Sequence, residues 1–212
     1  MAATPNHPRL PNLRLVAPPD SPDGDLIREY LAGDVGAFGE LIRRHQHAAY
    51  SVARRFLKNP DDAFDVCQKA FLKAFEARPP LLKQLAEAEG AAFRAYVLRS
   101  VINLSLNHAR LRKRWKSVSD DALESLPTLK LDGFAALAEA QQRAAVKQAV
   151  SALAPRQFEV FSLRVDGELT FHEIASTLGI TEGNAKAHFH YAVKRLASEV
   201  EQKLRAGEPH DV

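Results

Sequence analysis

Asn184, Lys186, His188, Tyr191, Lys194 and Arg195 crowd into twelve residues near the end of the chain. Amides, cations and a phenol at this density suit hydrogen bonding to base edges and charge contacts to phosphate. Polar and cationic groups on an exposed second helix of a helical pair are what insertion into a DNA major groove requires. The stretch Leu169–Leu196 supplies such a pair. Thr170 is placed to N-cap the first helix, and Glu173, three residues on, completes a capping box. Ile174, Ala175 and Leu178 form its apolar stripe. Gly179 can take the left-handed conformation of a sharp corner. Thr181 caps the second helix, whose expected buried positions are Ala185, Phe189, Ala192 or Val193, and Leu196. Helical hairpins of this length also serve as plain packing units, so on this stretch alone both readings stay open.

A second constellation lies upstream. From Arg94 to Lys116 the sequence holds Arg94, Arg99, Arg110, Arg112, Lys113, Arg114 and Lys116 and no acid. Tyr96, Asn103, Asn107, His108 and Trp115 are interleaved. Cations with amides and aromatics along one helix suit nucleic acid, by phosphate contact and base stacking. The bland alternative is a solubilising helix end, favoured there by the helix dipole.

The third constellation is a face of the helix that Asn59 caps and Pro60 begins. Arg78-Pro79-Pro80 is expected to end it. On a helical wheel Ala63, Phe64, Val66, Cys67, Ala70, Phe71, Ala74 and Phe75 fall on one broad apolar arc, read as core. Beside it lie Asp61, Asp65, Gln68 and Leu72. An exposed leucine among acids and an amide fits a partner surface; a solvated face with one stray leucine is the commoner alternative.

Catalytic and metal chemistry finds little support. Cys67, the single cysteine, is expected on a buried arc with no histidine placed near it, and it excludes any internal disulfide. His172-Glu173 lacks the second histidine of a zinc motif, since position 176 is serine. His45 and His47 point to different sides of a helix. No enzymatic activity and no cofactor are expected.

The elements that carry these groups are helical. The 212 residues, 46% hydrophobic and 26% charged, suffice for one or two small domains. Net charge is only +3, with an isoelectric point near 9.0. No signal pattern and no membrane-spanning apolar run is present, so a cytoplasmic protein is expected, without membrane contact of its own. Prolines 5, 8, 11, 18, 19 and 22 mark a tail, residues 1–24, expected to be disordered. Residues 25–116 form a first helical domain. Residues 117–138, with Asp120, Asp121, Glu124, Pro127, Asp132 and Gly133, lose periodicity and read as a flexible linker. Residues 139–206 form a second helical domain, and 207–212 a short tail. With no alternating strand pattern, the fold class is all-α, two small domains tethered so that two contacts to one DNA molecule reinforce each other.

The order of motifs resembles the extracytoplasmic-function (ECF) sigma factors, the small two-domain promoter-specificity subunits of bacterial RNA polymerase. Asp34-Val-Gly-Ala-Phe-Gly-Glu-Leu41 is similar to the family's early helix motif. Asp62-Ala-Phe-Asp-Val-Cys-Gln-Lys-Ala-Phe71 is similar to its Asp-Ala-acid-Asp-Val-x-Gln-x-x-Phe signature. Phe93–Asn103 followed by Arg110–Arg114 resembles the end of its first domain. Leu153–Phe161 leads into the helix-turn-helix as in its second. The resemblance implies a region 2-like bundle and a region 4-like helix-turn-helix, with core RNA polymerase and promoter DNA as partners and an anti-sigma factor as regulator. Core binding would fall on Asp61, Asp65, Gln68 and Leu72, and the melted minus-ten strand on Arg94, Arg99, Asn103, Arg110 and Arg112. The minus-thirty-five element would meet Asn184, Lys186, Ala187, His188, Tyr191 and Lys194, and the linker would thread towards the RNA exit path.

Four features depart from the family pattern. Phe64 stands where an acid is usual, and Tyr96 replaces a frequent tryptophan. His188 and Tyr191 stand where arginine is frequent; neutral histidine lacks arginine's bidentate fork to guanine, so weaker or re-specified upstream binding is expected. Pro79–Ala92, with Glu87 and Glu89, is acidic and alanine-rich for a strand-capturing loop. The competing reading is a stand-alone helix-turn-helix regulator, which would dimerise on a palindrome and need no Asp65/Gln68/Leu72 face.

Overall fold

The computed structural model describes residues 21–88, 90–116, 146, 149, 150 and 152–206, and among these every regular element is a helix. The expected N-terminal tail, save its last four residues, and the expected linker and C-terminal tail lie outside the described residues. Cα packing divides the chain between Leu106 and Asn107.

The first unit is built from α1 (Asp23–Leu31), α2 (Val35–Phe56), α3 (Pro60–Phe75), α4 (Pro79–Glu87) and the start of α5 (Ala92–Lys116). Local sequence starts each helix. Asp34 accepts a hydrogen bond from the Gly36 amide at 2.9 Å, and Asn59 accepts one from Asp61 at 2.9 Å, ahead of Pro60. These caps satisfy amides that the first helical turn leaves without partners. Tyr30, Phe38 and Phe75 form an aromatic cluster with centroids 5.0–5.3 Å apart, and Phe93 meets Phe38 edge-on at 6.0 Å. Leu26, Ile27, Leu41, Val52, Val66, Val97, Leu98 and Ile102 complete the buried core. The α1 helix lies close on α4, because Gly24 leaves room for a carbonyl: a Cβ there would stand 2.5 Å from the Ala86 oxygen. Arg28 donates to that same oxygen at 3.1 Å.

Two expectations for this unit are corrected. The Pro79-Pro80 pair does not merely end the preceding helix, which already stops at Phe75. It begins α4, with Arg78 as N-cap, because proline's fixed φ and missing amide suit a first helical turn. The segment read as a loop, Pro79–Ala92, therefore contains a nine-residue helix whose Leu82 and Ala86 are buried. Second, Phe64 is 55% exposed and not a core residue, and Phe75, 37% exposed, packs on Tyr30 and Phe38 only at the margin of the core. The strip of α3 covered by its neighbours is narrower than its apolar arc, and both phenylalanines lie at its margin.

The second unit comprises α6 (Pro155–Val165), α7 (Phe171–Leu178) and α8 (Glu182–Ala206). The capping box forms: Thr170 N–H donates to Glu173 at 2.8 Å and Glu173 N–H to the Thr170 hydroxyl at 3.2 Å. Gly179 turns the corner at φ 65°, ψ 41°, a conformation that costs a Cβ-bearing residue. Thr181 caps α8 by accepting from Asn184 at 3.2 Å. Phe189 ties the three helices together, stacked on Phe161 at 6.1 Å and edge-on to Phe171 at 5.5 Å. Of the two alternatives for the next buried position, Ala192 is buried and Val193 is 43% exposed.

Candidate functional site

The α3 helix places Asp61, Asp65, Gln68 and Leu72 at the surface, Leu72 54% exposed. The carboxylates of Asp61 and Asp65 have no ion-pair partner among the described residues. Phe64 and Phe75, missed by the wheel as surface groups, extend this face into a groove of about 710 Å³ between α2 and α3. Its walls include Ile42, His47, Tyr50, Phe64, Gln68 and Leu72. Cys67 lines the groove from beneath, and burial pushes its thiol up to about 11. A thiol held that far above neutral pH supplies no thiolate for nucleophilic chemistry.

On α5 the buried side runs through Phe93, Val97, Leu98, Val101, Ile102 and Ser105. The opposite side gathers Arg99, Asn103 and Arg110, which helical spacing stacks into one stripe. Asn103 and Arg110 are exposed and Arg99 is half-buried. Arg94 is not brought to this stripe; it lies in register with the buried side, and its Nε is buried. The Arg112 side chain lies outside the described residues.

On α8 the face turned from the core carries Asn184, Lys186, Ala187, Tyr191 and Lys194, all exposed, Tyr191 59% so. His188 sits at the margin and is half-buried. His190, which sequence reasoning passed over, is exposed midway between Lys186 and Lys194. The i, i+4, i+8 spacing of 186, 190 and 194 was the available signal. Glu182 binds Lys186 at 2.7 Å and lies 3.8 Å from His172. The Lys186 hydrogen bond and charge, with the charge of His172 behind them, lower the Glu182 carboxyl below its usual range.

The chain thus pairs a partly apolar exposed face of α3 with two cationic helical faces, and comparison with known proteins gives this combination a family. The sequence matches the Sigma-70 region 2 family over residues 41–116 and the Sigma-70 region 4 family over 143–196. It is 31% identical over 175 residues to the RNA polymerase sigma-E factor of Streptomyces avermitilis, covering 81% of this chain and 89% of that one. It is 29% identical to the ECF RNA polymerase sigma factor SigM of Mycobacterium tuberculosis, covering 82% and 83%. The chain belongs to the ECF RNA polymerase sigma factors.

Among solved structures, the sigma factor RpoE of Bartonella quintana, solved with the anti-sigma factor NepR, superposes with a TM-score of 0.56 at 20% identity. It covers 79% of this chain and 98% of that one, a likeness of fold. In this sigma factor no helix among the described residues is long and apolar enough to cross a membrane. No group of three or more His, Cys, Asp or Glu there could hold a metal ion. His172 and Glu173 diverge instead, Glu173 into the α7 cap and His172 towards Glu182. The position usually acidic in the family signature is the exposed Phe64, which makes this face of α3 more apolar and less charged.

Proposed function

We propose that this ECF sigma factor divides promoter-specific initiation among three surfaces. The α3 face, through Asp61, Asp65, Gln68 and Leu72 with Phe64 beside them, docks on core RNA polymerase. An exposed apolar centre rimmed by hydrogen-bonding groups has the make-up of an interface hot spot. Leu72 and Phe64 supply desolvation energy, while Asp65 and Gln68 set register. The α5 stripe of Arg99, Asn103 and Arg110 tracks the melted minus-ten strand, with phosphate contacts giving affinity and amides reading bases. Arg94, on the buried side of the helix, and Arg112, about half a turn round from Arg110 by helical spacing, are assigned to the same strand from outside that stripe. The α8 face enters the upstream major groove, where Asn184, Lys186, Ala187, His188 and Tyr191 meet base edges and Lys194 the backbone. His190 joins them.

The division of the chain is read as region 2 over 25–116 and region 4 over 139–206, joined by the segment between. The site of action is the bacterial cytoplasm, the chain lends specificity and has no catalysis of its own, and an anti-sigma factor is its expected regulator. The observation that carries this reading is the exposed, partly apolar α3 face on the same chain as a cationic helix-turn-helix; a stand-alone regulator has no use for the former. Run-off transcription with purified core polymerase on genomic fragments tests it. Start sites that appear only when the protein is added are the expected result, and retained duplex binding without core binding or transcription would overturn it.

A further inference from the structure

Lys186 does not stand alone on the exposed face of α8. Glu182, one turn nearer the helix start, shares its row. The lysine Nζ and the carboxylate Oε1 meet at 2.7 Å. The other oxygen, Oε2, lies 3.8 Å from Nδ1 of His172 on α7, too far for a hydrogen bond. Glu182 therefore presents a carboxylate with one oxygen engaged and the other open.

The ordinary role of an acid here is to favour the helix start. A first-turn acid is stabilised by the helix dipole, and a Glu–Lys pair four residues apart adds a little more. The cap itself is made without Glu182, because the Thr181 hydroxyl accepts from the Asn184 amide at 3.2 Å. Nor is the first turn covered. A Cβ on Gly183, the next residue, would meet nothing within 4 Å beyond its chain neighbours and the helix backbone. Glu182 is also the only acid of α8 before Glu199, on a face that otherwise carries amides and cations. A carboxylate brought up to DNA phosphates is repelled unless a donor in the groove meets it.

The base-edge donors of a major groove are cytosine N4 and adenine N6. Across the groove a G·C pair presents guanine N7 and O6, both acceptors, and then cytosine N4, a donor. The Lys186–Glu182 pair is the complement of that order. An ammonium has three donors; one is on Glu182, and two remain for N7 and O6. The open Oε2 remains for N4. An A·T pair presents a single acceptor, N7, before its N6 donor, which leaves one lysine donor unfilled. Position agrees with chemistry. Recognition helices reach base edges with their N-terminal residues, and Glu182 and Lys186 occupy the first two turns. His190 and Lys194 follow in the same row, about 12 and 18 Å from Glu182 at 1.5 Å per residue.

We infer that Glu182 is a specificity-determining residue. With Lys186 it reads one G·C pair of the upstream element, Oε2 accepting from cytosine N4 while the ammonium donates to guanine O6 and N7. This rests on the reading of α8 as the helix that enters the upstream major groove, and adds to it the identity of one base pair. A lysine by itself discriminates poorly, because its ammonium is a point charge on a flexible stem. The carboxylate supplies the discrimination by penalising any pair that offers it an acceptor.

Holoenzyme assembled with core polymerase, on a promoter recovered by run-off transcription, tests this. Each upstream base pair is changed singly, and binding is measured for the wild type, Glu182→Ala and Lys186→Ala. The wild type is expected to lose about tenfold in affinity when one particular G·C pair is changed, and Glu182→Ala to bind without that preference. At the same pair, N4-methylcytosine still pairs with guanine but carries a methyl in place of the groove-facing hydrogen. It should weaken the wild type and leave Glu182→Ala unaffected. The inference is overturned if Glu182→Ala keeps the G·C preference, or if methylation weakens both proteins equally. It is also overturned if Glu182→Ala shifts affinity equally at every position, as loss of a repelling charge would, or if the preferred pair is A·T. Lys186→Ala separates the two readings. If neither variant changes upstream binding, α8 is not the groove reader and the functional reading falls with this one. If Lys186→Ala lowers binding, at one pair or uniformly, while Glu182→Ala keeps the preference, the base-pair inference alone falls.

Discussion

Lys186 is held by Glu182 at 2.7 Å, so its ammonium is positioned near the N-terminal end of α8. If it reads a base, Lys186→Ala is expected to cost about 1–3 kcal/mol. The loss should be concentrated at one position in a panel of singly altered upstream elements; a uniform loss would make it a phosphate contact. Asp23 offers a pH test. Burial raises its carboxyl, but the His45 hydrogen bond, the His45 charge and then Arg44 outweigh that, leaving it below the usual 3.8. The folded value lies below the unfolded one. The stabilisation is therefore complete above pH 3.8 and lost as pH falls through the lowered value. Asp23→Asn should lower the thermal midpoint at pH 7, and its deficit should shrink in melts taken near pH 3. Helical spacing made Lys186 and Lys194 legible as exposed groups on one face of α8. It did not separate half-buried His188 from exposed His190, because that depends on where Ala185 and Ala192 meet the rest of the unit.

At the scale of elements, one close backbone approach and one helix cap set the geometry. Gly24→Ala would push a Cβ into the Ala86 carbonyl oxygen, a clash with backbone that no side-chain rotation relieves. Overpacking of this kind costs about 1–3 kcal/mol, measurable as a lowered denaturation midpoint in urea, and it should separate α1 from α4 without touching the recognition helix. Thr170→Ala removes one half of the α7 capping box, an expected loss of about 1 kcal/mol, read in the same way. The caps at Asn59, Thr170 and Thr181 were all legible, since a cap is a local arrangement of a side chain and the next three amides. The role of Pro79-Pro80 was not. A proline pair both stops one helix and starts another, and only the burial of Leu82 and Ala86 beneath α4 shows that the second helix has something to pack on.

For the whole molecule, affinity for promoter DNA is expected to rest on cations spread over two units, so binding should weaken steeply with salt. Neutralising Arg99 and Arg110 together should flatten the log–log salt slope by about 0.7 per lost contact to a single strand, measured by titration of holoenzyme on a pre-melted promoter. Arg94→Ala should alter stability more than slope, because it does not share the stripe. The sequence by itself determined the helical class, the helix-turn-helix with its corner at Gly179, the core positions of α3 from Ala63 to Ala74, and the family motifs in order. Each of these is written in short-range periodicity and capping, where neighbours along the chain decide the outcome. Only the tertiary structure decided which apolar residues stay outside. A helical wheel gives the angle of Phe64 and Phe75 but not the width of the strip that α2 covers. That width is a property of packing between segments distant in sequence, and it turns an expected core arc into a surface groove.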